Sequence, residues 1–314
     1  MSKKKKNNQT RVKKQFLLIL IVIIVAVSLG AIYTVIFNKK DHGKAEIKAN
    51  AATKEVEKDK NENVVTTKQE DEQDNGLVLK GKNYSKVGQP FVDDVQAVQK
   101  MANTTKNLAN SKKVAYLTFD DGPSSKNTTK ILDILKEENI KATFMILGCE
   151  LQSDSDSELV KRMVREGHAI GNHSFSHNYN KLYPHGRVDV NTYIAEVEKT
   201  NNKLREILGS NFDTNVIRMP GGHMSWKGTA ALDSALATKG YYYVDWDIMS
   251  GDAEGKIKSK QELINTFEKN IGNKQILVSL MHDSNPKTTT VQALPEIIKH
   301  LKELGYEFRT IGEV

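Results

Sequence analysis

From residue 113 onward, short apolar runs of strand type alternate with longer stretches whose apolar residues recur at helical spacing. The strand-like runs are 114-VAYLTF-119, 142-ATFMIL-147, 169-AIGN-172, 216-VIRM-219, 241-YYYVDW-246, 276-ILVSLM-281 and 307-EFRTI-311. Between them, Leu159 and Val160 pair with Met163 and Val164. Tyr193, Ile194 and Val197 form one helical face, resumed by Leu204, Ile207 and Leu208, and Val291, Leu294, Ile298 and Leu301 form another. Asn139, Gly167, Gly240 and Gly305 each follow a helical run and precede a strand, where a left-handed residue closes a helix. Parallel neighbours need a crossover of a dozen or more residues, so this alternation implies a parallel sheet with helices outside it. Seven strands suffice to close, or nearly close, a barrel, and a barrel carries its chemistry at the C-terminal strand ends. The expected class is α/β, a distorted (β/α)7-type barrel.

The polar clusters follow the strands in just that position. The first run ends in 117-LTFDDGP-123, which delivers Asp120 and Asp121. The third is followed by 173-HSFSH-177, the fourth by 218-RMPGG-222, the fifth by Trp246, Asp247 and Asp252, and the sixth by 280-LMHD-283. His173 and His177, four apart, fall on one face if the segment makes a helical turn. Such a pair plus a carboxylate can hold one metal ion with a position left open. Taken singly these residues have plainer readings: His173 as a polar residue at a helix start, His177 as a surface histidine, His282 as a satisfied core histidine. Asp-Gly and Gly-Pro are ordinary turn chemistry. Arg218 lies inside an apolar strand, so it either sits at an edge facing water or has a partner, for which Asp120 is the candidate.

TFDDGP, H-S-x-x-H, R-x-P-x-G and L-M-H, in this order, resemble the polysaccharide deacetylases, the NodB-homology domain of carbohydrate esterase family 4. The likeness spans roughly residues 111–314, about two-thirds of the chain. It implies a distorted (β/α) barrel, a divalent metal, usually zinc, and hydrolysis of an acetyl group on a sugar. By position, Asp121, His173 and His177 match the family's metal ligands and Asp120 its general base. Arg218 matches the arginine holding that base, His282 the general acid, and Asp252 the carboxylate paired with the acid. Trp246 and Leu280 match the walls of the acetyl-methyl pocket, and the Gly221 N–H matches the oxyanion donor. The family usually has an aromatic where this chain has Gly221, a departure that bears on the substrate groove; His223, Met224 and Trp226 follow closely.

The chain of 314 residues carries a net charge of +7, but that excess is confined to its first 15 residues, which hold seven cations and no acid. The remainder has 39 basic and 39 acidic residues, so no basic nucleic-acid-binding body is expected. The tail abuts 22 uncharged residues, 16-FLLILIVIIVAVSLGAIYTVIF-37, which as a helix would span ~33 Å against a hydrocarbon core of ~30 Å. This run is longer than the apolar core of a cleaved signal peptide. The expectation is a basic cytoplasmic tail (1–15), a transmembrane signal anchor (16–37), a solvated tether (38–76), a short accessory segment (77–110) and a catalytic domain (111–314) outside the cell membrane. Cys149 is the only cysteine, so no disulfide within the chain supports that domain. A deacetylase on such a tether would meet cell-wall glycan: N-acetylglucosamine of peptidoglycan, with lysozyme resistance as the consequence. The alternatives are chitin, poly-N-acetylglucosamine or acetyl-xylan, or an inactive wall-binding barrel. Oligomeric state is not legible.

Overall fold

A computed structural model describes residues 76–102 and 112–314. The basic tail, the apolar run 16–37 and nearly all of the tether lie outside the described residues. Among the described residues no helix is long and apolar enough to cross a membrane. The strands are β1 (Val92–Asp94), β2 (Val114–Gly122), β3 (Thr143–Ile146), β4 (Ala169–Asn172), β5 (Val216–Ile217), β6 (Tyr242–Tyr243), β7 (Ile248–Met249), β8 (Ile276–His282), β9 (Glu307–Phe308) and β10 (Thr310–Gly312). The helices are α1 (Val95–Ala102), α2 (Thr128–Glu137), α3 (Asp154–Arg165), α4 (Tyr179–Leu182), α5 (Val190–Leu208), α6 (Thr229–Thr238), α7 (Lys260–Ile271) and α8 (Thr288–Glu303).

One sheet runs β6-β5-β4-β3-β2-β8-β7, with β9 added on β2. Every pairing in it is parallel. The period-2 rule sorts β2 into two rows. Ala115, Leu117 and Phe119 face the layer containing Ile131, Leu132 and Leu135 of α2 and Leu294 and Ile298 of α8. Tyr116 faces inward with Met145, Val216, Val244 and Val278, and Thr118 and Asp120 continue its row. The residues expected to close helices do so: Asn139, Gly167, Gly240 and Gly305 have φ of 52°, 86°, 75° and 81°.

The sheet curls into an incomplete barrel. Its two ends, β6 and β7, do not pair with each other, yet they are consecutive in the chain. Val244 still donates its N–H to Ile217 on the β5 side (2.8 Å), whereas Asp247 donates to Val278 of β8 (3.0 Å). The covalent chain thus spans the gap that a hydrogen-bonded ladder would otherwise fill. For this reason the expected strand 241–246 forms a ladder only at Tyr242–Tyr243. The run 307–311 is likewise divided at Arg309, whose side chain turns to Asp93 (2.6 Å), as the chain leaves β2 to pair with β1.

The described part of the accessory segment, residues 77–102, covers the N-terminal end of this barrel. Val95 and Val98 of α1, both fully buried, pack with Met101 against Tyr116, Met145, Val216, Val278 and Ile311. The Asn83 amide donates to the carbonyls of Ile170 (2.9 Å) and Ile311 (3.0 Å), and Tyr116 donates to Asp93 (2.7 Å). The segment is therefore part of the core. Val98→Asp, which buries an unpaired carboxylate under the barrel, is expected to destabilise the protein by more than ~3 kcal/mol. Urea unfolding reads this directly, and a loss below ~1 kcal/mol would mean that α1 is only a loose cover.

Candidate active site

In a regular strand two adjacent side chains point to opposite faces. Asp120 and Asp121 escape this because β2 bulges: Asp120 pairs with Met145 and Gly122 with Ile146, which leaves Asp121 out of register. Asp121 has φ 71°, a left-handed conformation that Asp tolerates better than most residues. Gly122 completes the turn where only a glycine fits, since a Cβ there would lie 2.2 Å from the Asp283 carboxylate.

The two carboxylates have separate partners. Asp120, 2 % exposed, accepts from Arg218 Nη1 through Oδ1 at 2.8 Å. Its Oδ2 lies 3.7 Å from His173 Nε2. Arg218 is fully buried, so the edge-strand reading of that residue fails. Its remaining donors reach Thr118 Oγ1 (2.5 Å), Val244 O (2.9 Å) and Asp245 O (3.3 Å). Asp121 Oδ1 faces His173 Nε2 at 3.5 Å and His177 Nε2 at 3.6 Å. These separations exceed hydrogen-bonding distance, and Asp121 Oδ1 is buried without a hydrogen-bond partner.

Those three groups offer one donor atom each within 4.8 Å of one another. Two ligand atoms on a tetrahedral ion with bonds of ~2.0–2.2 Å lie ~3.3–3.6 Å apart, so the Asp121–His173 and Asp121–His177 separations fit. Tautomer chemistry agrees. His173 Nδ1 sits 2.9 Å from the Arg218 carbonyl, which can only accept, so Nδ1 carries the proton and Nε2 keeps its lone pair. Burial, together with the neighbouring His173, lowers the His177 pKa, which favours a neutral imidazole.

The two histidines do not meet across a helical turn, as their spacing suggested. Residues 173–178 are irregular, with Ser174 at φ 67° and His177 at φ 51°, and α4 begins only at Tyr179. The shape of this loop comes from α5. Glu196 accepts from the N–H groups of Phe175 (3.3 Å) and Ser176 (3.0 Å) and from the Ser176 hydroxyl (2.6 Å). Thr200 donates to Ser174 O (2.8 Å), and Asn172 donates to Asn201 Oδ1 (2.7 Å) while accepting from Ser174 N (2.9 Å). Sequence reasoning missed all four supports, Asn172 on β4 and Glu196, Thr200 and Asn201 on α5. The one sequence trace of the last three is polar residues on the otherwise apolar inner face of α5.

Across the mouth, His282 donates from Nδ1 to Asp252 Oδ1 (2.9 Å), and its backbone N–H donates to Asp252 Oδ2 (2.8 Å). Thr290 and Lys287 also bond Asp252 (2.8 and 2.7 Å). Burial works against charge on His282, but the Asp252 hydrogen bond and charge outweigh it, with Asp120 and Asp121 adding; its pKa is pushed up to about 9. Burial likewise opposes charge on Asp252, yet His282 and Thr290 hold that carboxyl below its usual range. His282 Nε2 points back to Asp121 Oδ2 at 4.0 Å.

Gly221 follows Arg218 in a turn at φ 77°, and its N–H donates no hydrogen bond among the described residues. Trp246 lies against Gly222, where a Cβ would meet the indole at 2.9 Å, and 5.8 Å from the Arg218 guanidinium. Leu280 is 8 % exposed and points inward on β8, two residues before His282. Asp283 is a further buried carboxyl that sequence reasoning left without a role. Burial pushes its pKa up to about 7, with Thr128 donating to it, and it occupies the space beside Gly122.

Comparison with known proteins agrees with this constellation. A family profile described as polysaccharide deacetylase matches residues 107–244. A peptidoglycan-N-acetylglucosamine deacetylase of Bacillus cereus is 36% identical over 205 residues, covering 64% of this chain and 70% of its own. A second protein of that name from the same species is 30% identical over 217 residues, covering 67% and 92%. A solved Streptococcus mutans CE4 esterase superposes with a TM-score of 0.68 at 36% identity, covering 73% of this chain and 95% of that one. With that similarity in sequence and fold, the chain belongs to the polysaccharide deacetylase family, carbohydrate esterase family 4, and is a hydrolase of that class.

Proposed function

We propose that this protein is a divalent-metal-dependent deacetylase of cell-wall peptidoglycan that hydrolyses the N-acetyl group of N-acetylglucosamine residues. The observation that carries the reading is the convergence of Asp121, His173 and His177, an unbonded donor set, with the Arg218-held Asp120 on one side and the Asp252-held His282 on the other. The names of similar Bacillus cereus proteins support peptidoglycan as the polymer.

Asp121, His173 and His177 would hold the ion, and two imidazoles with one carboxylate suit zinc or another divalent transition metal. A bound ion supplies Lewis acidity to the acetyl carbonyl and to the attacking water. Asp120 accepts the proton of that water, since its Oδ2 is free of Arg218 and turned to the same space. The Gly221 N–H donates to the carbonyl oxygen as charge develops on it; one such donor is typically worth ~10²–10³ in rate. His282, kept as imidazolium by Asp252, gives its proton to the departing amine. Trp246 and Leu280 bound the acetyl methyl. Acetate and a free amine leave.

Residues 111–314 would carry this chemistry, with residues 77–110 as an accessory segment whose described part, 77–102, packs beneath the barrel. Residues 16–37 would anchor the chain in the cell membrane, with tail 1–15 in the cytoplasm and the tether 38–76 holding the enzyme against the wall. Free amines on the glycan would then contribute to lysozyme resistance.

Asp120→Asn is expected to keep stoichiometric metal but lose at least ~10²-fold in turnover, whereas Asp121→Asn loses the metal itself. Metal analysis beside acetate assays separates the two, and wild-type turnover by metal-loaded Asp120→Asn would remove Asp120 from the base role. Purified protein should release acetate from peptidoglycan faster than from chitin or acetyl-xylan. Chelation should abolish release, and zinc should restore it. Undiminished release from a verified metal-free sample would rule out the metal-dependent reading.

A further inference from the structure

Tyr179 and Met224 stand 43% and 88% exposed on the stretches that follow β4 and β5 at the mouth. The Tyr179 ring lies 5.1 Å from the His177 ring. Trp226 also holds it, edge to face at 5.1 Å and 63°. Trp226 in turn stacks flat on Tyr183 (3.9 Å, 13°), and Tyr183 is buried against the equally buried Tyr193. The indole N–H is fixed to the Pro220 carbonyl at 2.9 Å. Tyr179 is thus the exposed end of an aromatic ladder rooted in the core, so a ligand would not have to pay for ordering it.

Gly221 makes room for this ladder. A Cβ at 221 would sit 3.1 Å from the Trp226 ring and 3.2 Å from the Tyr179 hydroxyl, on a backbone at φ 77° that disfavours any side chain. The place where an aromatic from the R-x-P-x-G motif would project is therefore filled by the Tyr179 ring from α4 and by Trp226 from further along the same loop.

A flat, rigid, exposed ring with a hydroxyl at its edge suits a ligand having one apolar face and a polar rim. A pyranose is such a ligand, because its C–H groups form a face and its hydroxyls lie around the edge. We propose that Tyr179, backed by Trp226, forms a sugar subsite that takes the C–H face of the residue adjoining the acetylated one. The inference deepens the deacetylase reading and rests on it. It makes Tyr179 a determinant of preference for chains over single sugars.

The test compares the full-length protein with Tyr179→Ala, Tyr179→Leu and Tyr179→Phe, using the β-1,4-linked tetramer of N-acetylglucosamine and the monosaccharide as probes. Calorimetric binding of the tetramer to zinc-loaded protein should weaken about 3- to 10-fold in the Ala and Leu variants and stay within about twofold in Phe. The ratio of kcat/KM on tetramer to that on monosaccharide should fall by the same factor, with metal content unchanged. Equal losses on both sugars, or unaltered tetramer binding by the metal-replete Leu variant, would overturn the subsite. Absence of acetate release by the wild type on either sugar would count against the deacetylase reading, while the binding comparison would still decide the subsite.

Discussion

The Arg218 side chain is the brace on which both the barrel and its chemistry depend. A fully buried guanidinium is tolerable only when its N–H groups are matched, and here they reach β2 through Thr118 and Asp120 and the β6–β7 crossing through Val244 and Asp245. That crossing is where the sheet lacks a ladder, so the arginine ties the open seam to the opposite strand. The same residue's backbone accepts from His173 Nδ1 and donates to Asn172 O (2.9 Å). One residue thereby fixes the Asp120 carboxylate, sets the tautomer of a candidate metal ligand and holds the gap. Taking the guanidinium away would leave Asp120 buried and uncompensated, a loss on the order of 3–5 kcal/mol.

With Asp120 held in this way, the neighbouring carboxylate is free for a different task. Two adjacent anions repel, and the bulge at Asp121 relieves this by turning the second carboxylate toward the two imidazoles while the first stays with the arginine. The positive φ of Asp121 is a local cost that the surrounding contacts must hold in place. Gly122 and Asp283 supply part of that hold, since the Asp283 carboxylate fills the space a side chain at 122 would need.

Much of this was legible in the sequence because it depends on local pattern. The strand and helix periods, the left-handed closing residues and the placing of polar clusters after strands are properties of a few consecutive residues. The alternation therefore gives the barrel, and Asp120, Asp121, His173, Arg218 and His282 all come to one mouth. What escaped depends on distant contacts. The seam at 244–247 arises because β6 and β7 sit at opposite ends of the sheet order, which no local period encodes. The irregular 173–178 loop is shaped by contacts with Glu196, Thr200 and Asn201 that span twenty or more residues, so i,i+4 spacing alone misread it as a helical turn. Residues 77–110 carried weak strand and helix signals because α1 is short and gains its stability from the barrel it covers.

Apolar packing and polar chemistry are separated along the barrel axis. The N-terminal end is apolar, with α1 packed on inward-facing valines, Tyr116 and Met145. The C-terminal end gathers three of the five left-handed non-glycine residues described, Asp121, Ser174 and His177, together with the unpartnered carboxylate oxygens of Asp121 and Asp283. Each of these costs free energy in isolation, of the order of 1–3 kcal/mol. A mouth built this way keeps its shape because the packed end and the α5 hydrogen bonds hold it, which leaves the polar atoms unpaired and available to a ligand. The same logic extends to Tyr179, whose exposed ring is held by Trp226 and Tyr183 rather than by its own short helix.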